Sequence, residues 1–369
     1  MDITVFGAGN MGLALASVLS KDHSVVLFTN KESNATERVS LDYEGTLLES
    51  DQFEVTCDLQ RACASDLILC TYPAFLRNNF IESIRTLLSK GQILGFVPGY
   101  GGIEYLCKPL IEDGVTVFGL QRVPYVARSD WKTRRASVLS AKSTLYAAAL
   151  PRANTDAVCA LVSSLLSIPT EPLTNYLAVT LVPSNPLLHT SGVYSIFKTY
   201  EPGQRYEKQM MFYEEWNDDT SRFLLQFDDE LQEICRSLTP LDMSGVVPLS
   251  TYYESPSAEA MTRKLKSIEA FKVVKAPLVQ TEAGCFVPNW NDRMFVEDFP
   301  FGVAIIKDIS VLCGISTPCV DTLLKFYVEK TGRRFFDESD SPTCDKSTCL
   351  IPRNCGINSK SELITFYQN

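Results

Sequence analysis

The 369-residue sequence predicts an α/β fold: a doubly wound parallel sheet in the N-terminal half and an all-helical domain behind it. Three observations carry that expectation. Short, nearly continuous apolar runs alternate with helix-length segments as far as Leu181, as parallel strands covered on both faces do. The chain opens as strand, glycine-rich turn, helix and strand. Beyond Pro183 the strand-like runs stop, and the long segments that follow read as helices. The boundary therefore falls near Pro183, giving domains of residues 1–182 and 183–369.

Asp2–Phe6 is the first strand, and it runs into Gly7-Ala8-Gly9-Asn10-Met11-Gly12, the helix Leu13–Leu19 and the strand Ser24–Phe28. In that context G-x-G-x-x-G is the dinucleotide fingerprint of a Rossmann-type domain. Gly7 allows the tight turn, Gly9 lets a pyrophosphate approach the backbone, and Gly12 lets the helix close on the strand. Asn10 and Met11 sit at the helix start, where free N–H groups and the helix dipole face the phosphates. An acidic residue at the end of the second strand would bond the ribose 2′-OH of NAD. Thr29-Asn30-Lys31 stand there instead. A hydroxyl, an amide and a cation suit a 2′-phosphate, so NADP is expected, with NAD the alternative; Glu32 pulls the other way.

A helix near Asn34–Arg38, a strand at Glu54–Thr56 and a helix at Leu59–Ala64 lead to the strand Asp66–Thr71. Ligands bind at the C-terminal edge of such strands, which puts Tyr72 and Pro73 beside the cofactor; the same two residues also make an ordinary strand-to-helix turn. A helix at Phe80–Leu88, the strand Gln92–Val97, a glycine-rich turn at Pro98–Gly102, a helix at Ile103–Ile111 and the strand Val115–Leu120 follow. Arg122 lies just beyond, suited to an anionic group or to a surface ion pair. Arg135–Ala149 reads as β structure at the sheet edge, Thr155–Leu166 as a helix and Leu177–Leu181 as the last strand. Helices are then expected at Ser191–Tyr200, Gln209–Leu238, Ala258–Val274, Pro300–Cys313 and Thr317–Thr331. The fourth has Asp298 as a candidate N-cap, proline near its first turn and Gly314 as its stop.

Composition narrows the function classes. Apolar residues make up 45%, enough for a large core. A net charge of −10 argues against a nucleic-acid partner, since phosphate backbones demand an excess of Lys and Arg. No apolar run approaches the roughly 18–20 residues that span a bilayer, and the first residues read as a strand rather than a signal peptide. The twelve cysteines are scattered and include no C-x-x-C pair, which reads as reduced thiols in a cytoplasmic protein. Cys344, Cys349 and Cys355 match no standard zinc spacing, and no metal site is expected.

Of the two histidines, His23 falls in a polar turn. His189 falls at the entry to the helical domain, where a substrate cleft is expected; it suits proton transfer, and equally a structural hydrogen bond. Arg293 is a natural bidentate partner for a substrate carboxylate, and Asp298 would either orient a histidine or cap a helix.

These residues carry a resemblance. Asn185-Pro186-Leu187-Leu188-His189 resembles the N-P-x-x-H element of the opine dehydrogenases, the octopine/nopaline dehydrogenase family. Arg293 and Asp298, five apart before Pro300-Phe301-Gly302, resemble its R-x-x-x-x-D stretch, and Pro352–Asn358 with Glu362, Leu363 and Tyr367 its closing segment. Thr190 stands where members often carry proline. The resemblance implies an NAD(P)H-dependent oxidoreductase that condenses an amino acid with a 2-oxo acid and reduces the imine. It implies His189 as the acid/base with Asp298 orienting it, and Arg293 with Asn185 on the substrate. Two other functions fit the same sequence: a 2-oxo acid or sugar-phosphate dehydrogenase of the ketopantoate or glycerol-phosphate kind, for which Lys198 would be the lysine, and a non-catalytic NADP-binding regulator. The substrate pair and the oligomeric state, a homodimer or otherwise, stay open.

Overall fold

The computed structural model describes residues 1–30 and 35–368. The chain divides into two units, Met1–Thr180 together with the chain end from Thr365, and Leu181–Ile364. The last residues thus count with the first unit, not with the C-terminal domain to which their position in sequence assigned them.

The first unit runs β1 (Asp2–Phe6), α1 (Asn10–Leu19), β2 (Ser24–Phe28), β3 (Ala35–Glu37), β4 (Ser40–Tyr43), β5 (Thr46–Glu49), β6 (Phe53–Thr56), α2 (Leu59–Cys63), β7 (Leu67–Cys70), α3 (Ala74–Ile84), β8 (Ile93–Phe96), α4 (Ile103–Leu106), α5 (Lys108–Glu112), β9 (Thr116–Leu120), β10 (Tyr125–Asp130), β11 (Arg135–Ala141), β12 (Leu145–Leu150), α6 (Thr155–Leu166), β13 (Thr170–Pro172) and α7 (Leu177–Thr180). Nine strands form one sheet in the order β13-β12-β9-β8-β7-β1-β2-β6-β3. The run from β6 to β9 is wholly parallel, and its order is that of the dinucleotide-binding doubly wound sheet. The switch point lies between β1 and β7, where Phe6 pairs with Cys70. The antiparallel additions β3 and β12 sit outside that run. A second sheet, β10-β11-β4-β5, packs its β10 on α1.

Several expectations are corrected. Residues 35–37 form strand β3 on β6, not a helix near Asn34–Arg38. The ladder supplies the backbone hydrogen bonds that an isolated helix of that length could not sustain. Leu177–Thr180 is the helical turn α7 and not a strand. All four residues are buried, and a short run that is apolar on every side has no period to tell strand from helix. The helix placed at Ile103–Ile111 breaks at Cys107, because Pro109 starts a new helix and cannot continue the old one. The helix placed at Phe80–Leu88 spans Ala74–Ile84, starting directly after Pro73. Arg135–Ala149 is two strands in different sheets.

The second unit holds α8 (Asn185–Phe197), α9 (Asp218–Ser237), α10 (Leu249–Tyr252), α11 (Ala258–Ser267), α12 (Glu269–Lys272), a hairpin of β14 (Leu278–Gln280) and β15 (Phe286–Pro288), α13 (Arg293–Val296), a wide π-type turn at Phe299–Val303, α14 (Ala304–Cys313) and α15 (Pro318–Thr331). Helix α16 (Lys360–Gln368) closes the chain. The domain is helical apart from the one small hairpin. Helix α8 begins six residues before the predicted Ser191, with Ser184 at its N-cap position and Pro186 in its first turn, so His189 lies on a helix and not in a loop. The helix expected from Gln209 begins only at Asp218, where the Asn217 side chain accepts from the Thr220 N–H (3.0 Å). Gly314, left-handed at φ 69°, ends α14 as expected.

Candidate active site

In the first unit the site is the turn between β1 and α1. Gly7 has φ 103°, a conformation that a side chain would strain. A Cβ on Gly12 would stand 1.6 Å from the Gly7 carbonyl oxygen, so the helix reaches the turn only because that residue is glycine. At Gly9 a Cβ would meet nothing within 4 Å, leaving open space over the backbone. The first turn of α1 has no side-chain cap and no acidic residue. Uncapped N–H groups, the positive end of the dipole and open space at Gly9 together fit the pyrophosphate of a nicotinamide dinucleotide.

The turn is held from both sides. Thr71, just past β7, donates its Oγ1 to Phe6 O (2.9 Å), with Gly7 O also in reach at 3.2 Å. The Tyr72 ring packs edge-on to Phe6 and Phe80 and would be 3.1 Å from a Gly7 Cβ, so Tyr72 backs the turn. Pro73 occupies the N-cap position of α3. On the other side Asn10 accepts at Oδ1 from the Ser129 N–H (2.9 Å) and hydroxyl (3.0 Å), and Trp131 Nε1 donates to Ala8 O (2.7 Å). Asn10 therefore bonds to β10. Met11 is half-buried on α1. At the end of β2, Thr29 is half-buried with its N–H on Thr56 O (3.0 Å), and Asn30 is exposed. Lys31 lies outside the described residues.

Arg77 on α3 is fully buried and organises the same sheet edge. Its guanidinium donates to the carbonyls of Tyr72 (2.9 Å), Tyr100 (2.6 Å) and Pro98 (2.8 Å), joining the turns after β7 and β8. Nearby, Glu104 on α4 accepts at Oε1 from Thr180 (2.5 Å) and from Tyr367 of α16 (2.7 Å), while its buried Oε2 has no partner among the described residues. Burial pushes the Glu104 carboxyl up to about 7, against the pull of those two hydrogen bonds.

In the second unit the site is built on α8. His189 and Asp298 meet, with Nδ1 and Oδ2 2.8 Å apart. The Asp298 side chain keeps 3% of its exposure and that of His189 19%, so the carboxylate is enclosed and the ring stays reachable. Burial raises the Asp298 carboxyl and the adjacent His189 ring opposes the shift. With Nδ1 engaged, Nε2 is the nitrogen left for chemistry. Glycines make this approach work. A Cβ on Gly302 would lie 2.5 Å from Pro186 Cβ, so the turn carrying Asp298 can press on the first turn of α8. A Cβ on Gly192 would lie 2.2 Å from the Phe212 ring, which packs edge-on to His189 at 5.9 Å. Thr190, the departure noted in the sequence, turns its hydroxyl to Pro186 O (2.5 Å) within α8.

Asp298 is thus no helix cap: it makes no capping bond, and Asp292 does that work for α13 by accepting from the Met294 N–H (3.0 Å). Arg293 bonds the buried Glu297 one turn along through its Nε, with its side chain 60% exposed. Asn185 is half-buried in the first turn of α8. The structure brings His189 to Asp298, and the Arg293 charge also acts to lower the Asp298 carboxyl, less strongly than His189 does. Sequence reading missed Ser129, Trp131, Thr71, Arg77 and Phe212. Their partners lie up to 123 residues away, and no local motif flags them.

Residues 172–330 match the family described as NAD/NADP octopine/nopaline dehydrogenase, alpha-helical domain, and residues 2–112 match NAD-dependent glycerol-3-phosphate dehydrogenase N-terminus. The octopine dehydrogenase of Mizuhopecten yessoensis is 22% identical over 365 residues, 94% of this chain and 88% of the relative. A solved octopine dehydrogenase with NADH and L-arginine superposes with a TM-score of 0.84 at 19% identity, covering 99% of this chain and 98% of that one. A yersinopine dehydrogenase bound to NADP+ superposes with a TM-score of 0.67 at 15% identity, covering 98% and 99%. No helix among the described residues is long and apolar enough to cross a membrane. Residues 172–330 are thus similar to the alpha-helical domain of the octopine/nopaline dehydrogenases, and the chain is an oxidoreductase.

Proposed function

We propose that the protein is an opine-type dehydrogenase: it joins an amino acid to a 2-oxo acid and reduces the resulting imine to a secondary amine. The observation that carries this reading is the His189–Asp298 pair, 2.8 Å apart, on the domain that matches the octopine/nopaline dehydrogenases. The turn Gly7–Gly12 would hold the cofactor, with Thr29 and Asn30 on its ribose side, and the cofactor would supply the hydride. NADP is favoured over NAD because neither Thr29 nor Asn30 is a carboxylate that would repel a 2′-phosphate. His189 exchanges a proton at Nε2 with the substrate oxygen or nitrogen. Asp298 fixes the ring's tautomer and orientation and stabilises its charged form. Arg293, exposed on one side of its bond to Glu297, is the proposed carboxylate anchor, with Asn185 beside it in the substrate set.

Lys198 is the residue a lysine-dependent reductase would use. It lies about two and a half helical turns beyond His189, toward the opposite side of α8, with its Nζ 5.7 Å from the centre of the Tyr194 ring. That position favours the histidine chemistry. The test is NADPH consumption with an amino acid, with a 2-oxo acid, and with both. Consumption is expected only with both, and His189→Ala is expected to abolish it while NADPH still raises the melting temperature. Turnover retained in His189→Ala sinks the assignment of the base. Equal consumption with the oxo acid alone sinks the imine.

A further inference from the structure

The segment after α15 contains a pair of thiols that the proposed reaction does not use. Cys344 is half-buried and Cys349 buried. Between them Asp345 accepts at Oδ1 from the N–H groups of Ser347 (2.9 Å) and Thr348 (3.3 Å), which turns the chain back on itself. The two Sγ atoms stand 2.8 Å apart. A disulfide needs about 2.0 Å, so bonding asks for less than about 1 Å of approach. Asn354 points its amide at the pair, 3.7 Å from Cys344 Sγ and 3.9 Å from Cys349 Sγ. The bond from Cys349 holds the Cys344 thiol below its ordinary range, with Asn354 acting in the same sense, while that same bond and burial push Cys349 up. Reactivity and exposure thus coincide on Cys344, and the buried Cys349 is already in position behind it.

We propose that Cys344 and Cys349 form an oxidative modification site: a peroxide converts the dithiol to an intrachain disulfide, and a dithiol reductant restores it. The Cys344 thiolate attacks one peroxide oxygen, the O–O bond breaks, and the other oxygen leaves as water after taking a proton. The resulting sulfenic acid is attacked by Cys349 sulfur. The S–S bond forms, and the sulfenic oxygen leaves as a second water with the Cys349 proton. One peroxide is reduced and two thiols are oxidised. The closed ring fixes the stretch leading to Arg353, whose N–H and Nε hold the buried Asp308 of α14 at 3.0 and 2.6 Å.

The test treats the intact protein with dilute hydrogen peroxide, alkylates the remaining thiols and maps the peptides by mass spectrometry. The expected product is a Cys344–Cys349 cross-link two hydrogens lighter, formed before the exposed Cys57 is oxidised and removed by dithiothreitol. In Cys349→Ser, Cys344 should accumulate as a sulfenic acid that dimedone traps. Sulfinic acid at Cys344 of the native protein without a cross-link, pairing of Cys344 with Cys355 instead, or both thiols still alkylated once Cys57 is oxidised would each overturn the proposal. The native-protein map decides by itself if the variant does not fold.

Discussion

Replacing Glu104 with glutamine should flatten the pH dependence of the first unit's stability. Glu104 is fully buried, titrates near 7 when folded and would titrate near 4.5 when the chain unfolds. The folded unit therefore holds its proton more tightly than the unfolded one. Stability from this group is complete below pH 4.5 and declines as pH rises toward 7, by roughly 3 kcal/mol at about 1.4 kcal/mol per pH unit. Arg77, the cation that acts on Glu104 among the described residues, is committed to three carbonyls and is the weakest of the influences that lower the Glu104 carboxyl. Glutamine keeps an acceptor for Thr180 and Tyr367, while its amide would stand where Oε2 has no partner, at a pH-independent cost of about 1–3 kcal/mol. The assay is a urea titration at several pH values between 4.5 and 8, read by pulse alkylation of Cys70 and Cys107, which are buried in this unit. The midpoint of the native protein should fall relative to Glu104→Gln as pH rises. Parallel midpoints across that range would show that Glu104 stays charged in the folded unit and would refute the reasoning.

Two further outcomes follow from the geometry of the site. Asp298→Asn keeps the shape beside His189 but removes the charge that fixes its Nδ1; kcat should fall by roughly 10²–10⁴-fold with KM for the oxo acid little changed, as steady-state kinetics would report. Gly12→Ala puts a methyl group 1.6 Å from the Gly7 carbonyl, a backbone atom that cannot swing away. It should destabilise the unit by about 1–3 kcal/mol or more and weaken NADPH binding, which calorimetry and a thermal melt would register together.

The strands β1, β2, β7, β8 and β9 were legible because each is a short, largely apolar and mostly buried block, and the glycine turn because its context is local. The second sheet was not. Its strands β4 and β5 are short and half-exposed, and they are held by pairing across long sequence distances, such as Arg135 with Ser40. Nothing in residues 40–49 announces that pairing. The same limit hid the clamp on the Gly7–Gly12 turn: Ser129 and Trp131 act on Asn10 and Ala8 only because β10 packs on α1. Burial hid Arg77 in another way, since an arginine amid α3 reads as a surface residue until three carbonyls are seen to converge on it.

Asp298 marks where local reasoning offered a helix cap or a histidine partner and the structure gives it the histidine. An aspartate two residues before a proline that begins a helix has the pattern of an N-cap, and capping would leave it half in solvent. Here the chain widens into a π-type turn at Phe299–Val303 instead of starting a regular helix, so the cap position carries no cap. Gly302 lets that turn close on Pro186, and the closure carries the carboxylate into a buried place where the His189 ring is the foremost group opposing its desolvation. Gly192 and Phe212 fix the ring from the other side. A capping aspartate would have gained nothing from being enclosed at 3% exposure. The enclosure suits a carboxylate placed to act on His189, which supports the proposal that the pair, rather than either residue alone, is the working element of the helical domain.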